Sequence, residues 1–346
     1  MSTKQATPGA PRRPARPRTP ARLLPPALAA AVLAGCVATA TAQDASREGA
    51  GGTAPPASEP PTAAEVRAWE AEFLASEPAE KSSAAGAPKT GKAPGGPLFG
   101  QRKVLSLYGA AGGFGIIGRK SVNGAAAKLN KQVRPYRKRS KEPVVKAFDL
   151  VTVIATKCSG SNDLCRIRVS DSVIRRYLKK IREINGRLVL DIQPGRANVL
   201  DEMKHLKKFI QMPDVDVAID AEWNVGPRGK PGEDLGSITA KQLNNASTKM
   251  RKIITNRGLG AKLLIVHQFR EDSVKNRGGV RRPKEVDVTL NFDGIGGPSA
   301  KRAGYRNLSQ KGLFNGFSLF YELDSNLMSP RAVLGLSPQV DYIMYQ

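Results

Sequence analysis

RLVLDIQPGRANVLDEMKHLKKFIQMPDVDVAIDAEW, residues 187–223, decides the fold. Its ends, RLVLDIQ (187–193) and VDVAIDAEW (215–223), are short, β-branched and apolar on both faces, as strands buried in a parallel sheet are. Between them VLDEMKHLKKFIQM (199–212) places Met203, Leu206 and Ile210 on one helical stripe. Strand, crossover helix and strand make a βαβ unit, which sets the two strands parallel.

The same texture extends both ways. Apolar runs recur at VLSLYG (104–109), FDLVTVIAT (148–156), KLLIVHQF (262–269), EVDVTLNFDG (285–294), GFSLFYEL (316–323) and VDYIMYQ (340–346). Helical segments separate them. Ser170 opens one that ends at Gly186, read as its C′ glycine, and Thr239 opens another that ends at Gly258. Eight strands alternating with helices predict a TIM-like (β/α)8 barrel over 101–346, with a doubly wound open sheet as the alternative.

The first hundred residues read differently. Met1 to Arg22 is basic and proline-rich, and LLPPALAAAVLAGC follows, too short to span a bilayer. A basic segment before a short apolar run is the pattern of an export signal, here 1–42. Leu33-Ala34-Gly35-Cys36 resembles a bacterial lipobox, which would make Cys36 the lipidated N-terminus; Ala40-Thr41-Ala42 offers a competing cleavage site. Residues 43–100, rich in Ala, Pro, Gly, Ser and Glu, are expected to be a disordered tether. The expected location is therefore outside the cytoplasm, on the outer face of the membrane or secreted.

With Cys36 assigned to lipid, Cys158 and Cys165 are left to close a short polar loop as a disulfide. The formal charge of +25 persists beyond the signal in RPYRKRSK (134–141), LKKIRE (178–183), HLKKF (205–209) and GGVRRPK (278–284). For an exported chain this points to envelope polysaccharide or another anionic polymer as partner, together with the membrane through the lipid anchor. Aromatics are sparse among these clusters, so nucleic acid is not an expected partner. The chain is expected to act as a monomer.

GGFGIIG (112–118) satisfies G-x-G-x-x-G at Gly113, Gly115 and Gly118, but RPYRKRSK stands where the second strand of a dinucleotide-binding unit would be. No cofactor is expected, and the segment reads as a flexible loop over the barrel mouth.

In barrel enzymes the chemistry lies at the C-terminal ends of the strands. Those ends carry Tyr108, Asp191 and Gln193, Asp220 with Glu222 and Trp223, His267 and Gln268, Asn291 and Asp293, Tyr321, and Gln346. The pairs Asp191/Gln193, Asp220/Glu222 and Asn291/Asp293 are spaced by two, which puts each pair on one face. Such carboxylates suit glycoside hydrolysis. Glu222 is the candidate acid, Asp220 its modulator, Asp191 or Asp293 the partner, and His267 a further catalytic candidate. Tyr108, Gln193, Trp223, Gln268, Asn291, Tyr321 and Gln346 are candidate substrate contacts. A metal held by His267 with Asp191, Asp220, Glu222 or Asp293 is the lesser reading, and none is expected.

The blocks RLVLDIQPGRA, PDVDVAIDAEWNV, KLLIVHQFRED, NFDGIGGP and VDYIMYQ resemble those of exported bacterial proteins, mostly actinobacterial lipoproteins, over about residues 104–346. The resemblance implies a common fold and no particular reaction; Ala221 stands where that family would have proline. Asp220-x-Glu222 is also similar to the end of the acidic D-x-D-x-E motif on the fourth strand of chitinase-type barrels. Its first acid falls on Ala218 here, which counts against substrate-assisted N-acetyl chemistry.

Overall fold

The computed structural model describes Met1, residues 59–76 and residues 98–346; the export signal, Cys36 and most of the tether lie outside them. Eight strands form a closed, all-parallel ring: β1 Lys103–Gly109, β2 Val144–Ala155, β3 Gly186–Ile192, β4 Val215–Asp220, β5 Lys262–Gln268, β6 Val286–Phe292, β7 Phe314–Leu319 and β8 Tyr342–Tyr345. Each pairs with its sequence neighbours, and β8 closes the ring on β1 through Val104↔Tyr342 to Leu107↔Tyr345. Closure leaves no open edge, and the doubly wound sheet is excluded.

Helices cover the outside: α2 Val122–Arg137, α3 Asp171–Glu183, α4 Val199–His205, α5 Ala240–Arg257 and α6 Pro298–Leu308. Their starts and stops follow local chemistry. The Thr239 hydroxyl accepts from Gln242 N while the Gln242 side chain accepts from Thr239 N, a capping box, and Gly258 closes α5 in the left-handed region at φ 61°. Two boundaries differ from the sequence reading. At the end of α3 it is Asn185, φ 54°, that turns left-handed, and Gly186 begins β3. A Cβ on Gly186 would lie 2.6 Å from Ile181 Cδ1 and 2.8 Å from Lys146 O, so that glycine serves a close approach. The helix read as 199–212 breaks at Leu206 into α4 and a short turn of helix, Lys207–Ile210.

The tether also contains structure. α1, Ala63–Ser76, buries Val66 and Phe73 and lays Trp69 on the Gly112–Gly113 backbone. Val66, Trp69 and Phe73 recur at helical spacing, so this stretch has the apolar stripe its alanine-rich surroundings conceal. Phe73 stacks on Tyr177 of α3 at 5.4 Å, and Pro61 O accepts from Lys157 N at 2.9 Å. The glycine segment read as a flexible loop is thus clamped. A Cβ on Gly113 would come within 2.5 Å of the Trp69 ring. Cys158 and Cys165 form the expected disulfide, closing the loop after β2.

Candidate active site

Parallel register brings polar residues of neighbouring strands to one level of the barrel interior. Asp220 pairs with His267, and His267 with Asn291; one step lower, Asp191 pairs with Ala218 and with Val151. A register shift on β2 at Thr152 lets its hydroxyl donate to Asp191 O at 3.0 Å.

His267, 2% exposed, is the centre. Its Nε2 lies 3.4 Å from Asp191 Oδ2 and 4.0 Å from Asp149 Oδ2, and its Nδ1 lies 4.0 Å from Asp293 Oδ2. Asn291 sits 2.9 Å from Nδ1 and donates to Ser318 Oγ at 2.8 Å. Burial alone would lower the pKa of the imidazole; the charges of Asp191, Asp149 and Asp220 reverse that and push it up to about 10. As an imidazolium it carries Nδ1–H, which the Asn291 amide would meet with its oxygen only when turned over, the Ser318 hydroxyl then donating to that oxygen as well.

The carboxylates are short of partners. Asp191 Oδ1 and Oδ2, Asp149 Oδ1, Asp220 Oδ1 and Asp293 Oδ1 are all buried without a hydrogen bond. Asp149 Oδ2 accepts from Tyr342 Oη at 2.6 Å. Gln193 donates to Tyr108 Oη at 3.2 Å and reaches toward Asp220 Oδ2 at 3.5 Å, while its own oxygen accepts from Ala155 N.

Such crowding keeps protons on. Burial, then Asp191, raise Asp149; burial, then Glu222, raise Asp220. Asp293 is raised to about 6 by burial despite the opposing charge of His267. Glu222 sits on the single 3₁₀ turn, Ala221–Trp223, that carries the chain off β4. It is half-buried at the mouth, and burial followed by the charge of Asp293 lifts it to about 8. A carboxyl that is protonated at neutral pH and open to solvent can donate a proton to a bound substrate.

The candidates divide by side-chain direction. Asp191, Gln193, Asp220, Glu222, His267, Asn291, Asp293 and Tyr108 share the interior cluster, the Tyr108 ring lying 6.2 Å from that of His267. Trp223 stands half-buried beside Glu222. Three others do not join the cluster. Gln268 follows His267 on β5, so alternation turns it outward, where it donates to Leu308 O of α6 at 2.8 Å. Tyr321 lies beyond β7 and stacks on Tyr345, with its hydroxyl on Gln132 of α2. Gln346 contributes backbone bonds to Leu319 and Tyr321 at the sheet end.

Sequence reading missed Asp149, Tyr342 and Ser318, which lie below the strand ends. An acid inside the apolar run FDLVTVIAT was the available signal.

No protein-family model matches the chain, and no curated protein matches it. A solved structure similar to it is the class V chitinase from Nicotiana tobaccum, at 12% identity and a TM-score of 0.35, over 63% of this chain and 67% of that one. The barrel itself rests on the strand pairings.

Proposed function

We propose that the chain is an exported, lipid-anchored glycoside hydrolase acting on envelope polysaccharide. One observation carries the reading: Glu222, at the mouth, is held protonated near neutral pH by burial and by Asp293. It serves as general acid to the glycosidic oxygen, and the second carboxyl, Asp293, acts from the neighbouring wall as nucleophile or base. Asp220, buried beside Glu222, is its modulator, and burial followed by the charge of Glu222 holds its own carboxyl in the neutral form. His267 neutralises part of the acid charge beneath them. Tyr108 and Trp223 are the stacking contacts for sugar faces.

Ala218, which replaces the first acid of the chitinase-type motif, is in register with Asp191. A carboxylate is thus supplied at that level from the adjacent strand. Export, the Cys36 anchor and the basic surface support an envelope substrate, and the chain acts as a monomer.

The test is reducing-end release from purified cell-wall polysaccharide by the wild type and by Glu222→Gln. The variant should lose about 10²–10⁴-fold in turnover while still sedimenting with the polymer. Equal turnover by both proteins would remove Glu222 from the mechanism.

A further inference from the structure

The floor of the barrel, below the acid at the mouth, holds a donor set to which the hydrolase reading gives no contact with substrate. Asp149, Asp191 and His267 each offer one atom, all within 4.8 Å of one another. All three side chains are sealed from solvent, at 0%, 0% and 2% exposure. Asp149 Oδ1, both oxygens of Asp191 and Nε2 of His267 have no hydrogen-bond partner. A buried polar atom without a partner is costly, and three side chains that each carry one and gather at one spot call for a shared partner.

Two candidates could fill that role, a proton or a cation. Spacing favours the cation. Donors sharing one ion at bond lengths near 2.1 Å stand about 3.0–4.2 Å apart, and Nε2 lies 3.4 Å from Asp191 Oδ2 and 4.0 Å from Asp149 Oδ2.

Outer contacts also suit ligation. Tyr342 Oη donates to Asp149 Oδ2 and fixes that carboxylate. Asn291 stands 2.9 Å from His267 Nδ1 and fixes the ring. With the amide turned so that its oxygen accepts from Nδ1–H and from the Ser318 hydroxyl, the ring ligates through Nε2 as the neutral imidazole, its second proton displaced by the entering ion.

We propose that Asp149, Asp191 and His267 bind one divalent transition-metal ion in the floor of the barrel. Two carboxylates and one imidazole suit Mn²⁺ or Zn²⁺ better than Ca²⁺, which takes six to eight oxygens. The sequence made metal the lesser reading because paired histidines are lacking, and the ligand set it weighed around His267 did not include Asp149. The site goes beyond the hydrolase reading and rests on none of it.

Tag-free protein, stripped with chelator and dialysed, is titrated calorimetrically with MnCl₂ and, separately, ZnCl₂. One ion per chain is expected from at least one of the two. Asp149→Asn combined with Asp191→Asn, shown folded by circular dichroism, should bind at least tenfold more weakly, and Tyr342→Phe should lose about 10–100-fold. Glu222→Gln should bind as the wild type does while losing hydrolysis, so each proposal can fail without the other. Substoichiometric binding of both ions by the wild type, or equal binding by the double variant, overturns the site. If the double variant does not fold, the wild-type stoichiometry and the Tyr342→Phe titration decide alone.

Discussion

The two ends of the barrel bury the same residue type to opposite effect. At the N-terminal end Asp216, fully buried, accepts from Arg187 Nε and Nη2 at 2.6 and 2.8 Å and from Leu263 N at 2.9 Å. Asp287 nearby accepts from Leu98 N and Phe99 N. At the C-terminal end Asp191, equally buried, has no hydrogen bond on either oxygen, and Asp149, Asp220 and Asp293 each leave one oxygen bare. Burial is thus no guide to role. Pairing is: a satisfied acid closes the fold, whereas an unsatisfied one stores a charge imbalance that a proton, an ion or a substrate can relieve.

Breaking a satisfied pair should cost most. Arg187→Ala strands Asp216 in the closed end, and about 3–5 kcal/mol of stability should be lost, read from the urea midpoint. A loss under about 1 kcal/mol would mean that the two ends do not differ as described. The opposite sign is expected at the mouth. Asp293→Asn removes a buried carboxylate with one bare oxygen, so metal-free protein at pH 8 should gain about 0.5–2 kcal/mol, as relief of strained active-site charge does elsewhere. A net loss would show that Asp293 is structurally paired after all.

These contrasts were only partly legible in the sequence. Eight apolar runs with helical spacers gave the barrel, because parallel strands must be apolar on both faces. Period-two spacing put Asp191 with Gln193 and Asn291 with Asp293, and each pair shares the interior cluster, since a strand transmits side-chain direction without help from its neighbours. It failed where the strand ended. Tyr321 lies past β7, and its direction is set by Tyr345 and Gln132, which only the folded ring brings near. Gln268 was read as a strand-end residue although alternation with His267 already sent it outward. Asp149 was hidden for another reason: its partners Tyr342 and Asp191 sit 193 and 42 positions away in the chain, and only closure of β8 on β1 delivers the first.

A smaller effect is the dependence on pH, to which Asp287 at the other end, raised to about 6 by burial, also contributes. Asp149, Asp220, Glu222 and Asp293 have folded pKa values above their unfolded ones, as does His267. Each therefore contributes stability that is complete below its unfolded pKa and is lost as pH rises through the folded value. For Glu222 that window runs from 4.5 to about 8, and for Asp293 from 3.8 to about 6. The melting temperature of chelator-treated protein should fall from pH 5 to pH 8, and Glu222→Gln should flatten the slope between pH 6 and 8. A slope identical to wild type would assign the dependence to other groups.

The central claim is that a mouth carboxyl keeps its proton at neutral pH because burial and the charge of Asp293 outweigh the opposing charges of His267 and Arg270. Difference infrared spectroscopy of the metal-free protein reads this directly through the carbonyl stretch of protonated carboxyls. At pH 7 that band is expected in the wild type, lost in part in Glu222→Gln, and titrating at lower pH in Asp293→Asn, whose neutral side chain no longer repels the Glu222 charge. A spectrum at pH 7 with every carboxyl ionised in all three proteins would contradict the account.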